Sequence, residues 1–183
     1  MKYLSCILFI FLIFNTNNSK ADNIEKELDE LFNELKNNNV SSSYEIEQKI
    51  WKLWSTHPNN DKLTIMLAEG SDLVNEQKFD KAINVFNKVI ELDPKWAEAW
   101  NKRATLLYMI GEFKKSQEDI DKVLELEQRH FGALAGQGLV NIKLENYEKA
   151  IMSYEKAQKI YPNMKSPKIM IKKIKELIKK QSI

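Results

Sequence analysis

The sequence predicts an all-α solenoid, a stack of helical hairpins with further helices at both ends. Three observations predict it. Residues of matching chemistry recur every 34 positions, beginning with Phe79, Phe113 and Tyr147. Each 34-residue unit contains two stretches in which apolar residues recur with the period of an α-helix. A short polar turn separates the two stretches, so each unit is predicted to form one helix–turn–helix hairpin.

The 34-residue spacing also governs positions beyond the first aromatic row. Four more rows of similar residues follow at the same step: Ala82, Ser116 and Ala150; Phe86, Ile120 and Tyr154; Val89, Val123 and Ala157; Leu92, Leu126 and Ile160. In the first helix of each unit, Gly70, Ala104 and Gly138 form a row of small residues, which lets two helix backbones approach. Because one hairpin cannot bury both of its faces, the units must stack.

These units resemble tetratricopeptide repeats, which are helix–turn–helix units of 34 residues. The segment "AEAWNKRATLLYMIGEFKKSQEDIDKVLEL" carries the pattern most fully. The resemblance assigns repeats to residues 63–96, 97–130 and 131–164, and it implies a right-handed α-solenoid. Two departures, Gln128 in place of a proline and Asn141 at a position that is apolar in the other repeats, predict a looser junction without a change of fold.

The flanking segments have the character of caps. Residues 22–62 contain two apolar stripes joined by the polar stretch "NNNVSSS", and we expect a degenerate helical lead-in pair. Residues 165–183 begin with a helix-start signal at Ser166 and Pro167. An apolar stripe backed by lysines follows, formed by Met170, Ile174, Leu177 and Ile178. This segment is predicted to form a basic capping helix with a polar outer face.

Residues 1–21 have the layout of a secretory signal peptide. Lys2 precedes a mostly apolar run of eleven residues, and Ser19 and Ala21 are small residues where a signal peptidase cleaves. The run is shorter than the roughly 20 residues that span a bilayer. We therefore expect export to the bacterial periplasm. Secretion, or an uncleaved segment that anchors the chain, are the alternatives. Cys6 is the only cysteine and would be lost on cleavage.

The whole chain is also similar to short exported bacterial tetratricopeptide proteins of unassigned function. The shared features are the Trp51–Trp54 stretch, the segment "WNKRAT" and the segment "RHFGAL". This resemblance supports the fold and export, and it indicates little about function.

Charge is distributed unevenly along the chain. The net charge of +2 falls to zero when Lys2 and Lys20 are removed with the signal peptide, yet residues 165–183 hold seven lysines and one glutamate. Neither half is charged enough to indicate a nucleic-acid-binding protein. The lysine stripe on the last helix favours a solvated cap, with weak contact to an anionic membrane surface as the alternative.

No constellation in the sequence predicts catalysis. His57 and His130 are the only histidines and fall in different junctions. A lone histidine in a junction is typical of a helix start, so we predict no catalytic residues, no metal site, no cofactor and no enzyme activity. Gly132, Gly136 and Gly138 resemble a phosphate loop, but they fall within a helix of the repeat register.

The concave face of the solenoid, lined by the first helix of each repeat, is the predicted binding site for a protein or peptide partner. The candidate residues are Leu67, Ser71, Asn101, Lys102, Thr105, Tyr108, Met109, Ala135 and Leu139. Some tetratricopeptide domains clamp a terminal carboxylate with basic residues on this face. None of the matching positions here is basic, so the face is expected to accept a helix or an extended segment.

Two further hypotheses concern single positions. Glu69, Arg103 and Gln137 occupy equivalent positions, and we expect an ion pair between Glu69 and Arg103 that Gln137 extends. Gly132 and Gly136 fall where the second repeat has charged residues. Each helical glycine costs about 1 kcal/mol, so we expect them to provide space in which a partner approaches closely. The predicted protein is a non-catalytic interaction scaffold or adaptor.

Overall fold

The computed structural model describes residues 20, 22–37 and 40–181, and within these ranges the regular structure is entirely helical. The predicted signal peptide lies outside the described residues except for Lys20. None of the helices in the described ranges is long and apolar enough to cross a membrane. The all-α prediction is therefore confirmed for this part of the chain.

The helices follow one another as a series of hairpins. The first helix, α1, covers residues 22–37. The others are α2 (Val40–Trp54), α3 (Asp61–Asn75), α4 (Phe79–Leu92), α5 (Ala97–Met109), α6 (Phe113–Leu126), α7 (Phe131–Lys143), α8 (Tyr147–Ile160) and α9 (Lys165–Gln181). The pairs α3–α4, α5–α6 and α7–α8 are the three repeats.

The row of small residues sits where the two helices of each hairpin touch. A β-carbon on Gly138 would lie 2.6 Å from Cε2 of Tyr154, and one on Gly70 would overlap the ring of Phe86. Ala104 holds the same position in the second repeat, where Ser116 Oγ donates to its carbonyl at 2.8 Å. Close contact between the helices therefore offsets the helix propensity lost at the two glycines.

The turns inside the three hairpins share one backbone conformation. Gln77, Gly111 and Glu145, which are 34 residues apart, have φ angles of 59°, 84° and 60°. Only glycine adopts this left-handed conformation without a steric cost. The first and third repeats accept that cost because the turn also satisfies helix-end carbonyls, as when Lys78 N donates to Leu73 O at 2.8 Å.

The lead-in pair forms the two expected helices but does not cap the first repeat. Its buried side chains join Phe131 and Tyr161 of the third repeat in one apolar cluster, whereas Leu63 and Leu67 of α3 belong to a separate cluster. Tyr161 also donates to Glu47 at 3.2 Å. The pair thus lies along the edge of the stack where first helices begin, because its aromatic residues find a matching surface there.

The last helix does cap the third repeat. Ile174 is buried against Ala150 and Tyr154, with Met170 and Ile178 packed beside it. Leu177, which we expected in this apolar stripe, is instead 38% exposed, and Ile171 packs in the cluster. The lysines of α9 are exposed.

Candidate functional site

A cavity of about 220 Å³ opens on the concave side between α5 and α7. Five of the nine predicted binding residues line it: Asn101, Thr105, Tyr108, Ala135 and Leu139. Gly136 also lines it, and a β-carbon there would meet only Ile120 Cδ1, at 3.7 Å. The sequence-based expectation that Gly136 leaves open space on this face is confirmed.

The other predicted residues differ in their accessibility. Leu67 is only 2% exposed and packs in the core of the first repeat, so its prediction as a groove residue is wrong. Ser71 donates to the carbonyl of Leu67 at 3.0 Å. Lys102 pairs with Glu98, while Met109 is 53% exposed beyond the cavity. The usable groove therefore lies toward the second and third repeats.

Gly132 has a different role from Gly136. A β-carbon on Gly132 would lie 2.5 Å from Cη2 of Trp51. The space left by this glycine is therefore occupied by the lead-in helix α2 and is closed to a partner. Gly132 thus accommodates Trp51 of the lead-in helix, whereas Gly136 leaves the groove open.

A buried polar cluster, which sequence reasoning missed, lies beside the cavity. Glu98 and His130 are 1% and 0% exposed. His130 Nε2 lies 3.1 Å from Glu98 Oε2, and Asn101 Nδ2 donates to the same oxygen at 2.9 Å. Lys102 Nζ lies 3.2 Å from Oε1, an ion pair without hydrogen-bond geometry. The missed signal was that Glu98, a charged residue, falls on the buried side of α5.

The hydrogen bonds of His130 define its tautomer. Its Nδ1 accepts from the backbone N–H of Ala133 at 3.0 Å, so this ring caps the start of α7 as predicted. The hydrogen therefore resides on Nε2 and is donated to Glu98. Burial raises the pKa of Glu98, but the hydrogen bond from His130 and the ammonium of Lys102 outweigh it, so the net pKa is lowered.

Arg129 fastens the lead-in pair to the junction between the second and third repeats. Its guanidinium contacts Asp29, donates to Glu25 at 2.8 Å and pairs with Glu127 at 3.0 Å. It also lies 4.6 Å from the ring centre of Phe32. The hydrogen bonds that Arg129 donates to Glu127, together with the other carboxylates, outweigh burial and raise the pKa of Arg129. Arg129 and His130 therefore bind the lead-in pair, in the segment that resembled an active-site loop.

The second histidine has separate partners. His57 Nε2 lies 2.8 Å from Asp93 Oδ2, and its ring meets Trp96 edge to face at 5.0 Å. In the described ranges, no group of three or more His, Cys, Asp or Glu side chains is arranged to hold a metal ion. Each histidine therefore joins structural elements, one at each of two neighbouring junctions.

The predicted ion pair between Glu69 and Arg103 is not formed. Arg103 instead makes a two-pronged pair with Asp119, with both distances 2.7 Å, and donates to Asn87 at 2.7 Å. Gln137, one repeat later, contacts Asp121 and Ser153, which stand 34 residues after Asn87 and Asp119. These contacts form a ladder of polar side chains that runs from α5 and from α7 to the second helices on either side of each. Glu69 cannot join it, since Val85 occupies the corresponding position.

The concave surface continues from the cavity onto α9. By the 34-residue register, Ile169 follows Ala135, Lys173 follows Leu139, and Leu177 follows Lys143. Ile169 is 52% exposed, and the ammonium groups of Lys143 and Lys173 form no ion pair within the described structure. Apolar side chains and free cations therefore alternate along this part of the groove.

The stacked hairpins with their concave groove define a helical-repeat protein. Residues 70–111 match the family model described as "TPR repeat", and residues 132–164 match "Tetratricopeptide repeat". The chain is similar to a TPR repeat-containing protein of Rhizobium etli, with 30% identity over 139 residues covering 75% of this chain and 68% of that protein. The chain belongs to the tetratricopeptide repeat family, whose fold is that of non-enzymatic protein-interaction modules.

Two further proteins resemble this chain at lower sequence identity. The Hsp70-Hsp90 organizing protein of Triticum aestivum is 28% identical over 95 residues, but the match spans only 16% of that protein. The first TPR of Spaghetti (RPAP3), solved with the HSP90 peptide SRMEEVD, superposes with a TM-score of 0.63 at 21% identity, covering 66% of this chain and 95% of that chain. The latter similarity establishes the solenoid fold alone.

Proposed function

We propose that this protein is a non-catalytic adaptor whose concave face binds an acidic, apolar segment of another protein. The observation that carries the proposal is the cavity between α5 and α7, beside the exposed side chains of Met109 and Leu139. A bulky apolar side chain of the partner enters the cavity between Tyr108 and Gly136. Burial of such a side chain contributes about 1.5–3 kcal/mol.

The cations of the groove indicate which side chains the partner segment carries beside its apolar ones. Lys143 and Lys173 are exposed and form no ion pair in the described part of the chain, and both flank the apolar positions by register. No acidic residue lines the cavity in the described structure, and Glu98, which binds the cavity residue Asn101, is buried and already bound by His130. A segment that alternates apolar and acidic side chains complements this surface. Charge complementarity of this kind sets specificity and association rate.

The binding mode differs from capture of a terminal carboxylate. That mode needs basic residues at the positions that Ser71, Thr105, Ala135 and Leu139 hold here. These side chains offer hydroxyl and apolar groups, which suit the middle of a helix or an extended segment. The binding determinants therefore lie in the side chains of the partner segment, and no free chain end is required.

Peptide binding tests this proposal directly. The probes are a synthetic amphipathic helix of leucine and glutamate and its counterpart in which lysine replaces glutamate. The acidic probe should bind, and Lys143→Glu with Lys173→Glu should weaken its binding at least about tenfold. Lys168→Glu with Lys175→Glu, on the outer side of α9, is the matched control and should leave binding unchanged. Equal binding of both probes would contradict the proposal.

A second experiment identifies the natural partner. A photocrosslinking residue at position 108 should trap a distinct protein in living cells, whereas the same residue at Met152, which is 55% exposed on the outer helix α8, should not. Gly136→Leu, which fills the cavity, should abolish trapping from position 108. The same products from both positions would rule out the groove as the binding surface.

The proposed compartment is the bacterial periplasm, supported by the signal-peptide pattern of residues 1–21. Cell fractionation and N-terminal sequencing of the mature protein test it. We expect a periplasmic protein that begins at Asp22. A cytoplasmic protein that begins at Met1 would contradict the proposal.

A further inference from the structure

The outward face of α3 is a stacking face that nothing covers in the described structure. In the second and third repeats the equivalent face packs on the preceding repeat: Ala99 and Ala133 are 0% and 1% exposed within those interfaces. Ile65, the equivalent residue in the first repeat, is 67% exposed. The lead-in pair, which would cover Ile65 if it capped the array, packs on Phe131 and Tyr161 instead.

The residues around Ile65 give this face a negative charge. Asp61, Glu69 and Asp72 lie on the same side of α3 as Ile65, by their helical spacing, and all are exposed. None of the three forms an ion pair within the described ranges. Asp72 stands where the later repeats have Leu106 and Val140, both 1% exposed. This end of the stack is therefore an exposed isoleucine surrounded by three carboxylates and the exposed Lys62, with a net negative charge.

The opposite end of the stack has complementary charge. By the 34-residue register, Lys172 stands where Gly138 contacts its second helix, and Lys175 stands where Asn141 does. On α9 this face is exposed in the described structure, and the Lys172 side chain is 81% accessible. Lys168 and Lys179 extend it, and the four lysines surround the partly buried Ile171. Glu176 also lies on this face, with its Oε1 4.0 Å from Lys172 Nζ, so four lysines and one glutamate leave the face net positive. It is therefore a helix-packing face that carries cations around an apolar centre.

We infer that the protein self-associates head to tail, with α3 of one copy packed on the lysine face of α9 in the next copy. Each contact joins two different surfaces and leaves one unused surface at each end of the assembly, so the assembly grows as an open chain or closes into a ring. The concave groove is not part of the contact. This inference therefore stands independently of the proposed partner segment.

Sedimentation velocity of the purified full chain tests the inference. The average mass should rise with protein concentration at about 50 mM salt, and about 500 mM salt should weaken association at least about tenfold, because screening shortens the range of the charges. Glu69→Lys with Asp72→Lys should give a monomer. Glu118→Lys with Glu148→Lys, which makes the same charge change at exposed sites on α6 and α8, should still associate.

A charge swap separates a specific contact from general electrostatics. Lys172→Glu with Lys175→Glu should also give a monomer, because both ends of that variant are acidic. Mixed with the Glu69→Lys, Asp72→Lys variant, it should associate again in alternating order, since opposite charges then meet at each contact. Circular dichroism checks that both variants are folded.

Two results would overturn the inference. One is a wild-type protein that remains monomeric at every concentration in low salt. The other is a mixture of the two charge-reversed variants that remains monomeric although each is folded. If the first result is accompanied by binding to anionic phospholipid vesicles through Lys172 and Lys175, these lysines belong to a membrane-binding surface instead.

Discussion

The indole of Trp54 stacks on the imidazole of His130, with ring centres 4.0 Å apart and planes 8° from parallel. This contact joins the end of the lead-in helix α2 to the residue that caps α7. On its other edge His130 donates to Glu98 of α5. One side chain therefore connects the lead-in pair, the second repeat and the third repeat, and variants around it report on the whole junction.

Alanine substitutions at the two neighbouring glycines of α7 should change stability in opposite directions. Gly136→Ala should stabilise the protein by about 0.5–1 kcal/mol, because alanine favours the helix and its methyl group makes an ordinary van der Waals contact with Ile120 Cδ1 at 3.7 Å. Gly132→Ala should destabilise it by about 1–3 kcal/mol, because its methyl group overlaps Trp51. Chemical denaturation measures both, and a stabilising Gly132→Ala would contradict the observed packing of α2.

Arg103 should matter for stability while Glu69 should not. Arg103→Met leaves the carboxylate of Asp119, whose side chain is only 6% exposed, without its partner, and should cost about 2 kcal/mol. Glu69→Gln should leave the free energy of unfolding unchanged, since Glu69 is exposed and lies outside the ladder. Thermal denaturation of both variants is the measurement. Equal losses of stability in the two variants would support the ion pair between Glu69 and Arg103 that the sequence predicts.

The Glu98 carboxylate should contribute stability that depends on pH. Its folded pKa lies below the ordinary value of 4.5, so the contribution is fully present above about 4.5 and is lost as the pH falls through the folded value. The stability of wild type should therefore fall more steeply in acid than that of Glu98→Gln. Glu118→Gln, at an exposed site on α6, is the control and should parallel wild type. Parallel curves for wild type and Glu98→Gln would exclude this contribution.

Removal of a hydroxyl should have different effects at two buried tyrosines. The Tyr154 hydroxyl is buried with no hydrogen-bond partner among the described residues, and burial raises its pKa. Tyr154→Phe should therefore be neutral or stabilise the protein by about 1 kcal/mol. Tyr161 donates to Glu47, and burial raises its pKa to about 12. Tyr161→Phe should cost about 1 kcal/mol. A reversed order in denaturant titrations would contradict these hydrogen-bond assignments.

The sequence by itself determined the repeat units, their hairpin turns and which helix of each repeat faces the groove. Each follows from contacts between residues close in the chain or one repeat apart, so a spacing of 34 is enough to reveal them. The small row at Gly70 and Gly138 and the cap at His130 were predicted correctly for this reason. The open space at Gly136 also follows from register, because the position is fixed by the helix it belongs to.

Only the tertiary structure decided where the lead-in pair packs and which charges meet. The contacts of Arg129 with Glu25 and of Tyr161 with Glu47 join residues separated by 104 and 114 positions, far outside the repeat period. The partner of Arg103 depended on the second helices, since the equivalent position beside Glu69 holds Val85. Periodicity defines which neighbours stack, but a non-repeating segment packs wherever its aromatic surface finds its complement.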